Sequence, residues 1–469
     1  MSLWFLIAIL KPTKEKSVLV KPSNGFNALW QEIESSTNAC VKCAKCIPSC
    51  TIYRIHKDEI TSPRGFLDLI AQVKQEGLEL DNSLKKIFET CFLCTTCVQV
   101  CPLHLPIDAM IERIRHMSAN KHGISWHKRA YFYLLKHPKL MDFVFSLCDV
   151  LAPCVFKREE DKLKWRFKGS KAWQKRVIFP FTRKSFLQTY KGLITPQNPL
   201  DTSTPPRKVG IFIGCLSNYN YTEVGQSLLS LLDKLNISAL IPEQFCCGAP
   251  AYFTGDLDTA YFLAQKNITS LYSIASEVEA ILVPEATCIG MLKKDYLHIL
   301  ESLSDEKDRM SWLEKFKVIE DKLQLASAFL ANSTPLKNYL QERPQIPLTL
   351  TYHDPCHAKK VLGVFKEPRA LLQINHSLIE MQESDRCCGF GGVSMQSEHY
   401  DLVLKAGAPK ALDIAQTKAQ VVSAECSACR MQINNSLAQI ESSVQFLHPI
   451  ELLDHALTDC NFSFFKNKS

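Results

Sequence analysis

Two stretches of the chain concentrate thiols. "CVKCAKCIPSC" carries Cys40, Cys43, Cys46 and Cys50, and "CFLCTTCVQVCP" carries Cys91, Cys94, Cys97 and Cys101. Both follow C-x2-C-x2-C-x3-C, and the second adds Pro102. Three thiolates at this spacing wrap one face of a cubane [4Fe–4S] cluster, while the fourth points away to a neighbouring cluster. The pattern therefore assigns Cys40, Cys43, Cys46 and Cys101 to one cluster, and Cys91, Cys94, Cys97 and Cys50 to the other. Zinc sites, the competing reading, separate their cysteine pairs by a longer gap. Thr51 stands where the second run has Pro102, with no effect on ligation. Neither cluster would keep an open position, so the pair is expected to pass single electrons rather than bind substrate.

Nine further cysteines form a repeat. Cys215, Cys246, Cys247 and Cys288 recur 141 residues later as Cys356, Cys387, Cys388 and Cys429. The second half adds Cys426, giving five thiols as C-x30-CC-x37-C-x2-C; the first half has Glu285 at that position. Adjacent cysteines fit poorly around one tetrahedral metal but can bridge two irons of a larger, open cluster. Gly389, Gly391 and Gly392 let the backbone turn tightly beside a bulky group. The complete, larger and open iron–sulfur cluster is expected at Cys356, Cys387, Cys388, Cys426 and Cys429. Four thiols in the first half still suffice for zinc or an iron–sulfur cluster. A metal-free half with Glu285 as a non-ligand is the equal alternative. His353 and His357 flank Cys356, either as hydrogen-bond donors to a cluster thiolate or as plain loop histidines. Cys148, Cys154 and Cys460 lack partners at ligand spacing and read as buried free thiols.

The elements that must bring these residues together follow from periodicity. In the first half "KVGIFIG", "SALIP" and "EAILVP" read as buried strands, with helices at "EVGQSLLSLLDKL" and "TAYFLAQKNITSLYSIA". In the second half "LTLTYHD", "LIEMQ" and "AQVVSA" take the strand roles. Strands alternating with helices make a parallel sheet. Each cysteine group then lies on a loop at the carboxyl end of a strand, the edge where open parallel sheets bind ligands. Four parts result: 1–120 with the cysteine runs, 121–206 as a basic, aromatic helical connector and linker, and the two halves 207–335 and 346–469. The fold class is α+β multidomain: a helical two-cluster domain followed by two tandem α/β domains with parallel sheets.

Composition limits the remaining possibilities. The chain has 469 residues, 46% hydrophobic and 22% charged, as in ordinary globular proteins. The apolar run that ends at Leu10 is too short to span a bilayer and lacks a cleavage site, so a capping strand or helix is expected there rather than a leader. Twenty cysteines without an export signal belong in a reducing compartment as metal ligands rather than disulfides. The net charge of +7 is uneven: residues 121–184 hold sixteen Lys and Arg against five Asp and Glu. That distribution argues against a nucleic-acid binder. Three readings suit the stretch: a connector with a solvated face, a docking face for a partner, or a contact with an anionic membrane surface. No glycine-rich dinucleotide or phosphate loop is present, so no flavin or nucleotide is expected on this chain.

These motifs, together with "SPRG" (62–65), "CCGAP", "TCIGMLKKDY", "HDPCH" and "CCGFGG", resemble the iron–sulfur subunit of glycolate oxidase from about Trp30 to about His455. The architecture is also similar to heterodisulfide reductase and to anaerobic glycerol-3-phosphate dehydrogenase iron–sulfur subunits, all with cysteine-rich CCG domains. The resemblance implies an oxidoreductase subunit in which a partner, an FAD-containing 2-hydroxy-acid (glycolate or D-lactate) dehydrogenase, oxidises substrate. This chain would pass the electrons towards a quinone or another acceptor. It further implies a cytoplasmic protein, with peripheral contact at the inner face of the membrane as an option. The five-thiol set departs from the glycolate oxidase pattern, in which the last CxxC is often reduced to one cysteine. It keeps open the alternative of a catalytic subunit reducing a disulfide at a noncubane cluster. A third reading is a quinone-linked glycerol-3-phosphate dehydrogenase subunit.

Overall fold

A computed structural model describes residues 37–159, 162–166, 176–346 and 348–458. The expected capping element at 1–10 and Cys460 lie outside these residues.

The cysteine runs sit among short helices, Thr51–His56, Pro63–Lys74, Asn82–Glu89 and Thr96–Val100, braced by the longer Ile107–His122. The "SPRG" stretch starts one of them. Ser62 caps its N-terminus by accepting a hydrogen bond from the Gly65 N–H at 2.9 Å, and Pro63 opens the helix. Gly65 is required by space: a Cβ there would lie 1.9 Å from the Glu59 carbonyl oxygen.

The stretch 121–206 is only partly the expected helical connector. It has helices Trp126–Lys136 and Pro138–Val155, then strands β1 (Phe156–Glu159), β2 (Lys162–Trp165) and β3 (Val177–Ile178) in a small antiparallel sheet. Strand β4 (Gly192–Ile194) pairs antiparallel with the first half's sheet, so that sheet begins before residue 207. An antiparallel strand along the edge satisfies backbone groups that a purely parallel sheet would leave open.

The first half adds β5 (Arg207–Ile211), β6 (Ile237–Ile241), β7 (Ile281–Val283) and β8 (Leu323–Leu325), in the order β4-β6-β5-β7-β8. The second half has β9 (Thr349–Tyr352), β10 (Ser377–Leu378), β11 (Val421–Ser423) and β12 (Gln445–Leu447), in the order β10-β9-β11-β12. Apart from β4, all these pairings are parallel. Five of the six strands read from the sequence, β5 to β7, β9 and β11, are present where expected, whereas "LIEMQ" contributes only Leu378 to β10. Strands β8 and β12 extend each sheet by one more parallel strand. The helix Glu306–Glu320 before β8 has no counterpart before β12.

Three apolar clusters hold the parts together. One joins the helices of the cysteine runs to Cys387, Met395, Leu402, Val403 and Ala406 of the second half. Another packs Phe132, Leu135, Met141 and Phe145 of the connector helices with the first half and with Val422, Ile433 and Phe446 of the second. The third, including Ile211, Leu228, Leu350 and Ile450, unites the two sheets. Both the dicluster helices and the connector touch both halves: Arg115 reaches Phe253 of the first, and Lys128 reaches Ser394 of the second.

Candidate metal centres

The second cysteine run lines a partly open cleft bounded by Cys50, Cys91, Cys94, Cys97, Thr51, Ile52, Phe66, Phe92 and Asp108. The structure therefore brings Cys50 of the first run to three thiols of the second. Cys46 in turn faces Cys40, Cys43 and Cys101. Positive φ at Lys42 and Ala44, and at Leu93 and Thr95, lets each short run curl so that its thiols point inward. Burial pushes the Cys50 thiol up to about 12 and Cys91 up to about 11. Buried thiols that resist ionisation alone are ionised by a metal ion, and the largely apolar wall suits a soft thiolate-ligated cluster. The donor set thus fits iron–sulfur chemistry.

Arg115 anchors this site from the helix Ile107–His122. Its buried guanidinium donates to the carbonyls of Phe88 (2.9 Å), Glu89 (3.1 Å), Cys91 (2.7 Å) and, in the first half, Phe253 (2.9 Å). Sequence reasoning misses Arg115, which is one basic residue among many.

In the first half the thiols neighbour one another in the order Cys215, Cys246, Cys247, Cys288, each altering the ionisation of the next. Their loops follow β5, β6 and β7, as expected at the carboxyl edge. Gly214, at φ +76°, lies so close that a Cβ would be 2.9 Å from the Cys288 sulfur. Connector residues Leu135, Pro138 and Met141 wall a partly open cleft beside Cys215 and Cys246. Tyr131 and Tyr219 also face these thiols, and burial raises both hydroxyls.

The second half repeats the chain of contacts. Cys356, Cys387, Cys388 and Cys429 follow the same order, with Cys388 and Cys429 3.4 Å apart, and Cys426 extends it beyond Cys429. Gly389 has φ +88°, and its N–H donates to the Cys387 sulfur at 3.4 Å. His353 is buried, with Nδ1 3.0 Å from the Ser384 carbonyl oxygen and the ring beside the Cys388 thiol. His353, Cys388 and Cys429 offer ligand atoms all within 4.8 Å of one another. Of the two histidines, His353 therefore lies beside the thiols of its site. His357 instead stacks on Phe253 at 5.9 Å, and burial lowers it to about 4.

Glu285 is buried between the two halves. Its carboxylate accepts from the Ser427 N–H (2.8 Å) and from the hydroxyls of Ser217 and Ser427. Ser217 follows Cys215 by two residues, and Ser427 follows Cys426 directly. Beside it the Ala286 N–H donates to the Glu425 carbonyl (2.9 Å), and the Thr287 hydroxyl meets the Cys426 sulfur (3.4 Å). The carboxylate at the place of the missing cysteine therefore ties the loops of the two halves together.

The two kinds of centre also meet. The Cys94 thiol of the second run lies beside Cys387 of the second half, near enough that each thiol alters the ionisation of the other. No sequence signal announces this contact. Of the remaining cysteines, Cys148 is buried as expected, whereas Cys154 is exposed. Cys154 lies at the end of Pro138–Val155, on the outward face that also bears Val150 and Leu151.

Comparison with known proteins agrees with this architecture. Residues 36–105 match the family described as a 4Fe-4S dicluster domain, and residues 209–293 and 350–434 each match the cysteine-rich domain, CCG. The chain is thus built from one dicluster domain and two tandem cysteine-rich domains. It is similar to the "Probable glycolate oxidase iron-sulfur subunit" of Bacillus subtilis (strain 168), 26% identical over 435 residues, covering 88% of this chain and 92% of that one. A fumarate reductase (CoM/CoB) subunit of Methanothermobacter marburgensis is also 26% identical, over 90% of this chain and 72% of its own. "Lactate utilization protein A 2" of Bacillus cereus (strain Q1) is 29% identical over 54% of this chain and 99% of its own. The resemblance to iron–sulfur subunits of oxidoreductases therefore extends along most of the chain. Among the described residues no helix is long and apolar enough to cross a membrane.

Proposed function

We propose that this chain is the electron-transferring iron–sulfur subunit of a 2-hydroxy-acid dehydrogenase, oxidising glycolate or D-lactate on a separate FAD-containing chain. The observation that carries the reading is the contact of Cys94 with Cys387, which joins the dicluster domain to the five-thiol site. Clusters bound at these cysteines would supply single-electron transfer. The eight cysteines of the two runs would hold two [4Fe–4S] clusters in the crossed sets given above. Cys356, Cys387, Cys388, Cys426 and Cys429 would hold a third, and Cys215, Cys246, Cys247 and Cys288 a cluster or zinc. The protein's own part is to bury the thiols, to aim the Gly389 N–H and His353 at sulfur, and to exclude water with apolar walls. An anaerobic pull-down from the native host tests the reading: a flavoprotein oxidising a 2-hydroxy acid should co-purify. Recovery of the chain with no flavoprotein would reject it.

The connector supports a peripheral position at the inner membrane face, where a quinone could accept electrons. Trp126, Phe143, Val150 and Leu151 are all exposed there, at 53%, 64%, 56% and 44%. They lie within a stretch rich in Lys and Arg, a combination that favours anionic lipid surfaces.

The five-thiol set favours a second reading, a catalytic disulfide reductase. One of the similar proteins carries CoM/CoB in its name. Disulfide reduction by the isolated chain, lost on Cys388→Ala, would select this reading over the first.

A further inference from the structure

Lys360 occupies the seam between the second cysteine run and the second cysteine-rich domain. It lies on the short π-helix His357–Val361 that follows Cys356. Its ammonium donates to the Thr96 hydroxyl on one side and to the Asp385 carbonyl (3.1 Å) on the other. Thr96 in turn lies 3.4 Å from the Cys94 sulfur, and Asp385 precedes Cys387 by two residues. The charges of Cys356, Cys94 and Cys387 all act on this ammonium. The Asp385 carboxylate, which also acts on it, is taken up by Lys359 at 3.4 Å and is 44% exposed, so it leaves much of the Lys360 charge unbalanced towards the sulfurs. Buried charges interact through a far lower effective dielectric than surface ones.

We infer that Lys360 is a positioning residue that sets the reduction potentials of the two sites it bridges and holds their loops in register. The inference rests on the reading that both sites carry iron–sulfur clusters. An electron arriving at either site adds negative charge beside a fixed cation. Lys360 therefore stabilises the reduced form at both and raises both potentials. The thiols of Cys40, Cys43, Cys46 and Cys101 are not among the groups that act most strongly on this ammonium, so their site should be affected least. Hydrogen bonding and charge are local tuning elements of cluster potential.

The test is potentiometric EPR titration of the anaerobically purified full chain, with iron content measured on every sample. Lys360→Met removes the charge and the hydrogen bonds. Lys360→Gln keeps a hydrogen-bond donor without the charge, and Lys360→Arg keeps the charge. Both neutral variants should shift the reduction equilibrium of two cluster signals at least tenfold towards the oxidised form, about 59 mV for one electron. Lys360→Arg should stay near wild type, and one cluster signal should stay put in all variants. Should Lys360→Met fail to keep its iron, Lys360→Gln alone decides. Neutral variants that retain iron with unchanged potentials would overturn the role of Lys360 alone. Wild-type protein whose iron content is unaffected by Cys94→Ser and by Cys387→Ser would overturn the underlying reading.

Discussion

Replacing Glu285 by Ala separates a brace from a ligand. In the structure the Glu285 carboxylate is buried and receives the Ser427 N–H at the start of the helix Ser427–Gln439, together with two buried serine hydroxyls. After truncation those hydroxyls, 3.2 Å apart, can turn to each other. The Ser427 N–H cannot, and a buried donor left unpaired costs about 1–3 kcal/mol. The space vacated by the side chain adds to this, while release of a carboxyl whose protonation is favoured by burial offsets part of it. A net loss of about 2–3 kcal/mol follows, roughly 4–12 °C in the unfolding midpoint of a unit of 150–250 residues. Glu285→Gln keeps an acceptor for the N–H and should lose less than about half as much. Thermal unfolding and metal analysis of wild type, both Glu285 variants, Cys288→Ser and Cys429→Ser together give the answer. As a brace, Glu285→Ala should lower the midpoint and loosen the second site, and Cys429→Ser should lower bound iron more than Cys288→Ser. If Glu285→Ala instead strips metal from the first site and leaves the unfolding midpoint in place, Glu285 is a ligand and not a brace.

Two further outcomes follow from packing and charge. Arg115→Ala leaves four carbonyls in two separate segments without their common donor, and at about 1 kcal/mol each the loss should be on the order of 4 kcal/mol. Arg115→Lys, with one nitrogen, should recover only part; a shift below about 2 °C for Arg115→Ala would contradict the anchoring role. If the connector meets a membrane surface, the protein should float with anionic liposomes at low salt and detach at high salt. Phe143→Asp should weaken flotation several-fold, and failure of wild type to float at low salt would remove the idea.

What can be read in the sequence divides along a physical line. Spacing is local, so both cysteine runs carry their geometry openly: Cys50 meets Cys91, Cys94 and Cys97 because one thiol in each short run must point outward. The runs of Val, Ile and Leu at β5, β7 and β11 are buried over most of their length, which is why they stand out. Strands β1 and β2 read "FKRE" and "KLKW", with enough Lys and Arg to pass for a solvated helical face, and periodicity does not reveal them. Contacts made only by tertiary structure leave no trace at all. Glu285 meets Ser217 and Ser427 across 68 and 142 residues, and Lys360 meets Thr96 across 264. The 141-residue repeat aligns Glu285 with Cys426, and from that alignment alone a substituted ligand and a lost one look the same. The carboxylate accepts from Ser217 of its own half and from Ser427 of the other, which favours the brace. The asymmetry of the repeat is thus not simply a degraded copy: the position that gave up its thiol in one half holds the loop that keeps both thiols in the other.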